Sequence, residues 1–294
     1  MLPFHQVVTR QLGDVRLQAY LHDVTAPVVL TFASGNAALT EGNEHTDNWG
    51  FGFLKKRGFN VISFNHIGSQ NLFRHTALVA FLAELTPQLE RFPERIGYGV
   101  SRGAFALGIH ADALLLDRIL MLMPISTFDD RLAPWEPKAI HHSLGTDWSK
   151  GYNDATVCRC PVTLIYDPLY PIDRQHALRF GSAKAHLKIP GVGHHVADAL
   201  AEMGLLSETV TRYLDNRLDV LGFPAKVRAR RRQQRYFSKM AQNPTGKNTI
   251  KRRSIIRYHW LRWQCSNMDK VLKRTLSKWR RSLSKRLPMP MTRA

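Results

Sequence analysis

The pentapeptide Gly99-Val100-Ser101-Arg102-Gly103 matches the pattern G-x-S-x-G, in which a serine is presented at a sharp turn between a strand and a helix. A serine hydroxyl is a poor nucleophile at neutral pH. It attacks a carbonyl only when an imidazole takes its proton and a carboxylate fixes that imidazole's tautomer and steadies its charge. The sequence offers His194 and His195, in the loop Gly191-Val192-Gly193-His194-His195, as bases. Asp167 and Asp173 lead the carboxylates, with Asp129 and Asp130 as outsiders. Each acid also has a structural use: Asp167 precedes a proline and can start a turn, and Asp173 can cap a helix over 173–180.

The surrounding elements determine whether these groups can meet. Residues 15–21 (VRLQAYL) alternate apolar and polar positions, and 27–33 (PVVLTFA) and 60–65 (NVISFN) read as buried strands. Further strands are expected at RIGYGV, 117–124, 161–167 and 185–190. Helices are expected over 49–59, 76–92, from Arg102 to Leu115, and over 173–180 and 196–218. This alternation predicts an α/β fold, a mostly parallel central sheet with helices on both faces. Ser101 then falls between a strand and a helix, and Gly99 and Gly103 leave room for the tight bend.

On these residues, positions 1 to about 220 resemble the α/β-hydrolase superfamily. Its members place an oxyanion loop after an early strand, where this chain has Ser34-Gly35-Asn36, and carry acid and histidine after the serine in that order. Asn65-His66-Ile67-Gly68-Ser69 is similar to the loop after the next strand. The resemblance implies a serine hydrolase, most simply an esterase acting on a small or medium acyl ester, with Ser101 as nucleophile and His194 as base. His195 is its fallback. The family's usual acid position falls near Tyr170, so Asp167 is preferred and Asp173 is kept as the alternative. Backbone N–H groups of Arg102 and of Gly35 or Asn36 would receive the oxyanion. The Arg102 side chain, beside the nucleophile, is expected in a surface salt bridge, with contact to an anionic group as the other reading. A short lid is expected over 125–159, with Trp135, His141, His142, Trp148 and Tyr152 shaping the substrate site. Other readings are a different serine-based acyl transfer, or a catalytically silent fold used as a binding scaffold.

Charge divides the chain. Residues 1–223 carry 20 Lys/Arg against 22 Asp/Glu, and residues 224–294 carry 22 against one. A hydrolase-like domain over 1–223 and a basic extension over 224–294 follow. Within the extension Met268, Leu272, Leu276, Trp279, Leu283 and Leu287 are spaced as one helical face. A basic amphipathic helix suits an anionic membrane surface, less well nucleic acid, and a solvated extension without defined structure is the third reading. Three cysteines, Cys158, Cys160 and Cys265, suggest neither a disulfide framework nor a zinc site. No metal or organic cofactor is implied. The N-terminal residues show no apolar signal segment, so a cytoplasmic protein, attached at most to a membrane surface, is expected.

Overall fold

A computed structural model describes residues 1–268 apart from 41, 44, 69–70, 144–145, 150, 182 and 243–248, and most of the helical face expected from Met268 to Leu287 lies outside the described residues. Eight strands form a single sheet: β1 (Val7–Leu12), β2 (Val15–Tyr20), β3 (Val28–Phe32), β4 (Asn60–His66), β5 (Arg95–Val100), β6 (Arg118–Leu122), β7 (Val162–Tyr166) and β8 (Ala183–Lys188). Their order is β1-β2-β4-β3-β5-β6-β7-β8. β2 runs antiparallel to both β1 and β4, and every later pairing is parallel. The α/β expectation holds, and the topology fits an α/β-hydrolase fold.

The helices of this region are α1 (Phe51–Lys55), α2 (Thr76–Leu89), α3 (Arg102–Ile109), α4 (Pro137–Ser143), α5 (Pro171–Arg179), α6 (Val196–Glu202), α7 (Leu206–Leu214) and α8 (Phe223–Lys226). Strands β3 and β4 are buried at every position. That is why they read as continuous apolar runs, the mark of parallel strands covered on both faces. Two apolar clusters result. One gathers Leu30, Phe32, Phe64, Phe105 and Leu164, and the other Val29, Val61, Tyr98, Leu120 and Val196, so consecutive residues of one strand feed opposite faces.

Several elements differ from the sequence reading, among them α3, which ends at Ile109 and not at Leu115. Strand β1 was not anticipated, because VVTRQL is largely exposed and pairs only with β2 across the turn at Gly13. The helix expected over 196–218 is broken into α6 and α7. Gly204 takes a left-handed φ of 74° and the Leu205 amide turns back to the Leu200 carbonyl, which ends the first helix. The helix expected over 49–59 shortens to α1.

The chain divides into two compact units, Met1–Arg230 and Arg231–Ala294. The first runs past the expected boundary at 223 because Val227 is buried in the second apolar cluster, and Arg230 Nε donates to the Pro190 carbonyl at 2.7 Å. In the second unit α9 (Gln234–Ala241) packs on α10 (Ile250–Ser266), and Trp263 Nε1 donates to the Arg232 carbonyl. No residue of α10 is buried.

A chain ending at Arg230 should therefore unfold within a few degrees of the full protein. One ending at Gly222 forfeits the burial of Phe223 and Val227, about 3 to 5 kcal/mol, and its calorimetric midpoint should fall by roughly 10 °C. A second expectation concerns His110. It is buried, its Nε2–H donates to the Phe73 carbonyl at 2.7 Å, and burial pushes its pKa down to about 4. Between about pH 6.5 and about 4 the unfolded chain binds a proton that folded His110 refuses, so stability falls as pH falls through that window. In denaturant titrations His110→Gln should remove about 3 kcal/mol of that loss.

Candidate active site

Strand β5 ends at Val100, and Ser101 occupies the turn into α3 with φ 54° and ψ −113°. This left-handed backbone is strained for a residue with a Cβ, and it persists only because its surroundings impose it. The Ser101 amide donates to the Leu122 carbonyl of β6 at 3.0 Å. On either side the glycines are sterically required. A Cβ on Gly103 would sit 2.1 Å from the Phe32 carbonyl oxygen, and one on Gly99 would sit 2.8 Å from the Ala104 nitrogen. Backbone therefore meets backbone where the elbow crosses β3, and no larger residue fits.

Ser101 Oγ lies 2.9 Å from His194 Nε2, and His194 Nδ1 lies 2.6 Å from Asp173 Oδ1. Thus the carboxylate that meets the histidine is Asp173, and the preference for Asp167 is corrected. Asp173 is not the cap of its helix either. α5 begins at Pro171 after Tyr170, which leaves Asp173 in the first turn, where the helix dipole favours a negative charge. It is fully buried, and its second oxygen has no hydrogen-bond partner among the described residues. Among the described residues its one hydrogen-bond partner is His194.

Asp167 has a different occupation. Its carboxylate accepts from the amides of Leu169 (2.8 Å), Gly191 (3.0 Å), Val192 (2.7 Å) and Gly193 (2.6 Å). It ties the end of β7 to the loop that delivers His194. His195 caps the start of α6 and its Nδ1 lies 3.1 Å from Asp198 Oδ2, so it faces a different carboxylate. Asp129 is buried and bound to Arg131 and Asn153, and the Arg131 hydrogen bond leads the effects that hold its carboxyl down at about 2. Asp130 is exposed. Neither is the partner of His194.

Ser101, Gly35, Asn36, Arg102 and His194 share the wall of one cavity of about 620 Å³. Gly35–Ala37 form a single 3-10 turn whose entry residue Ser34 has its carbonyl 3.1 Å from His66 Nε2, while His66 Nδ1 lies 2.6 Å from the Gly68 carbonyl. His66 is thus a support for the oxyanion-loop candidate. The Arg102 side chain does not lie at the surface, where the sequence reading places it. It is buried, its guanidinium lies about 3.6 Å from where a Cβ on Gly35 would be, Nη1 donates to the Asn71 carbonyl, and burial lowers its pKa to about 10.

Part of the segment expected as a lid borders the cavity, and of the residues expected there His141 lines it. Ile125, Phe128, Lys138 and His141 line the cavity. Trp135 packs edge-on against His176, Trp148 is stacked by Arg74, and Tyr152 lies beside His110. The His142 side chain is outside the described set. Sequence reasoning missed two groups here. Lys138 Nζ stands 3.2 Å from His194 Nε2. Buried His176 accepts at Nδ1 from the Ser126 amide (3.0 Å), and its Nε2 lies 2.7 Å from Glu136 Oε2, which clips the lid to α5. Neither has a local motif, since each pair is separated by at least 40 residues.

No family model matches the sequence, and no curated protein matches it. Solved structures do. The chain is similar to a sugar hydrolase from Lactococcus lactis (12% identity over 72% of this chain and 98% of that one, TM-score 0.49). It is also similar to the capsule O-acetyltransferase of Neisseria meningitidis serogroup A (13%, 73% and 97%, TM-score 0.47) and to an alpha-beta serine hydrolase homologue from Coxiella burnetii (12%, 73% and 99%, TM-score 0.43). The reactions in those names are properties of those proteins.

Proposed function

We propose that Ser101, His194 and Asp173 form a nucleophile–base–acid triad and that the protein is a serine hydrolase, an esterase acting on a small or medium acyl ester. The observation that carries this reading is the unbroken chain Ser101 Oγ to His194 Nε2 at 2.9 Å and His194 Nδ1 to Asp173 Oδ1 at 2.6 Å, opening on a cavity. His194 Nε2 takes the Ser101 proton as Oγ attacks the ester carbonyl. The amide of Arg102, at the first turn of α3, and that of Gly35 or Asn36 receive the negative oxygen of the tetrahedral intermediate. The imidazolium then returns its proton to the departing alkoxide, leaving Ser101 acylated. Water, deprotonated by the same nitrogen, releases the acid and restores the hydroxyl. Asp173 holds the Nδ1–H throughout and steadies the imidazolium without itself being protonated.

A 620 Å³ cavity under a short lid supports a modest acyl or aryl ester over a long lipid chain. The extension from 231 onward supports a separate role in location. Its 19 Lys/Arg against one acidic residue favour attachment to an anionic membrane surface. Among the described residues no helix is long and apolar enough to cross a membrane.

Fluorophosphonate labelling with peptide mapping tests the nucleophile: Ser101 should carry the label, and Ser101→Ala should lose both label and short-chain ester hydrolysis. Equal labelling of the two proteins would refute the reading. The two aspartates should separate cleanly in steady-state kinetics and thermal unfolding. Asp173→Asn should lower kcat by about 10⁴ with a small change in midpoint, because the ring keeps its place but loses the carboxylate that fixes its tautomer. Asp167→Asn should instead cost about 2 to 3 kcal/mol of stability, since an amide nitrogen then faces backbone donors that the carboxylate had satisfied.

A further inference from the structure

The nitrogen that must accept the serine proton is approached by two donors. His194 Nε2 has one lone pair, and both Ser101 Oγ (2.9 Å) and Lys138 Nζ (3.2 Å) stand within reach of it. A hydrogen bond from an ammonium to that lone pair competes with the proton transfer the proposed mechanism needs. Lys138 is placed there by the lid. Its own amide donates to Glu136 Oε1 at 2.8 Å, while Glu136 Oε2 is taken by His176. Among the described residues no carboxylate lies within ion-pair distance of Lys138 Nζ. Lys138 as a whole is exposed, and partial burial of its ammonium is the main influence lowering its pKa; the Glu136 and Asp173 carboxylates oppose it, and the Arg102 guanidinium adds to it. Arg102 lines the same cavity, against Gly35 of the oxyanion-loop candidate. Of the cavity's described lining residues the single carboxylate is Asp198, which lies against His195.

Resting on the hydrolase reading, we infer that the substrate carries an anionic group, a carboxylate or phosphate, close to the scissile ester, and that Lys138 and Arg102 bind it. The same event has a second effect. An anion drawing Lys138 Nζ towards itself takes that donor off His194 Nε2 and leaves the lone pair to the serine proton, so the anionic substrate is both held and turned over faster. Planar Arg102 supplies a fixed fork and Lys138 a point charge on a mobile stem, which suits one to positioning and the other to the switch.

Two measurements test this. First, kcat/KM is compared for 4-acetoxybenzoate and its neutral methyl ester in the full-length protein, in Lys138→Gln and in Lys138→Arg. The anionic-to-neutral ratio, taken within each protein and so independent of the fraction folded, should fall at least tenfold in Lys138→Gln and stay within about threefold in Lys138→Arg. Second, calorimetry on Ser101→Ala should show phenyl phosphate or benzoate binding at least tenfold more tightly than benzamide, with the difference lost when Lys138→Gln is added. Whichever anion binds better tells phosphate from carboxylate. Turnover of both esters with a ratio that Lys138→Gln leaves unchanged, or anions binding no better than benzamide, overturns the inference and spares the hydrolase reading. Lys138-dependent anion binding in a protein that neither labels at Ser101 nor turns over esters does the reverse, and leaves an anion-binding cavity.

Discussion

One buried carboxylate, that of Asp167, gathers four backbone amides from two segments that the chain brings together only at the end of β7. Three of those amides belong to Gly191, Val192 and Gly193, the residues immediately before His194. Gly191 and Gly193 adopt left-handed φ values of 85° and 64°, which aligned amides around a single anion require and which glycine adopts without steric cost. The geometry between His194 and both its neighbours, serine and aspartate, presupposes this anchor. A loop free to fluctuate by an ångström would not hold two hydrogen bonds on opposite edges of one ring.

The division of labour between the two aspartates explains what could be read in the sequence and what could not. The strand–serine–helix turn was legible because backbone crowding dictates glycine at both flanking positions, a local demand that leaves a local trace. The histidine loop was legible for the same reason. The acid was not, because Asp167 and Asp173 lie six residues apart and both sit at the same end of the sheet. Which one turns toward His194 depends on where α5 starts, and that is set by Pro171 at the first helical position. Counting residues along a strand does not capture that. Arg102 was misplaced by the opposite error, since an arginine in isolation is expected on the surface, and only the packing of α3 against β3 shows that this one is enclosed.

Most of the sheet was legible from its buried parallel strands, whose apolar runs have no other use. What escaped was peripheral or long-range. β1 offers only the half-buried Val8 and Leu12 to the core, the break at Gly204 costs one turn of an otherwise continuous pattern, and Val227 sits just beyond the point where the composition turns basic. In that last case a change in charge marked a change in surface while the apolar core continued across it.

The clip between the lid and α5 has an implication for how this site can change. Asp173 and His176 stand on the same short helix, and His176 is held by Ser126 and Glu136 from the covering segment. A substitution at Ser126 or Glu136 therefore reaches His194 through the helix that carries Asp173, although neither residue borders the cavity. Ile125, Phe128 and His141 border it without belonging to that network. Variation at those three positions can reshape the cavity while the hydrogen bonds among Ser101, His194 and Asp173 stay intact, so the covering segment holds a variable surface and a fastening side by side, interleaved along 17 residues from 125 to 141.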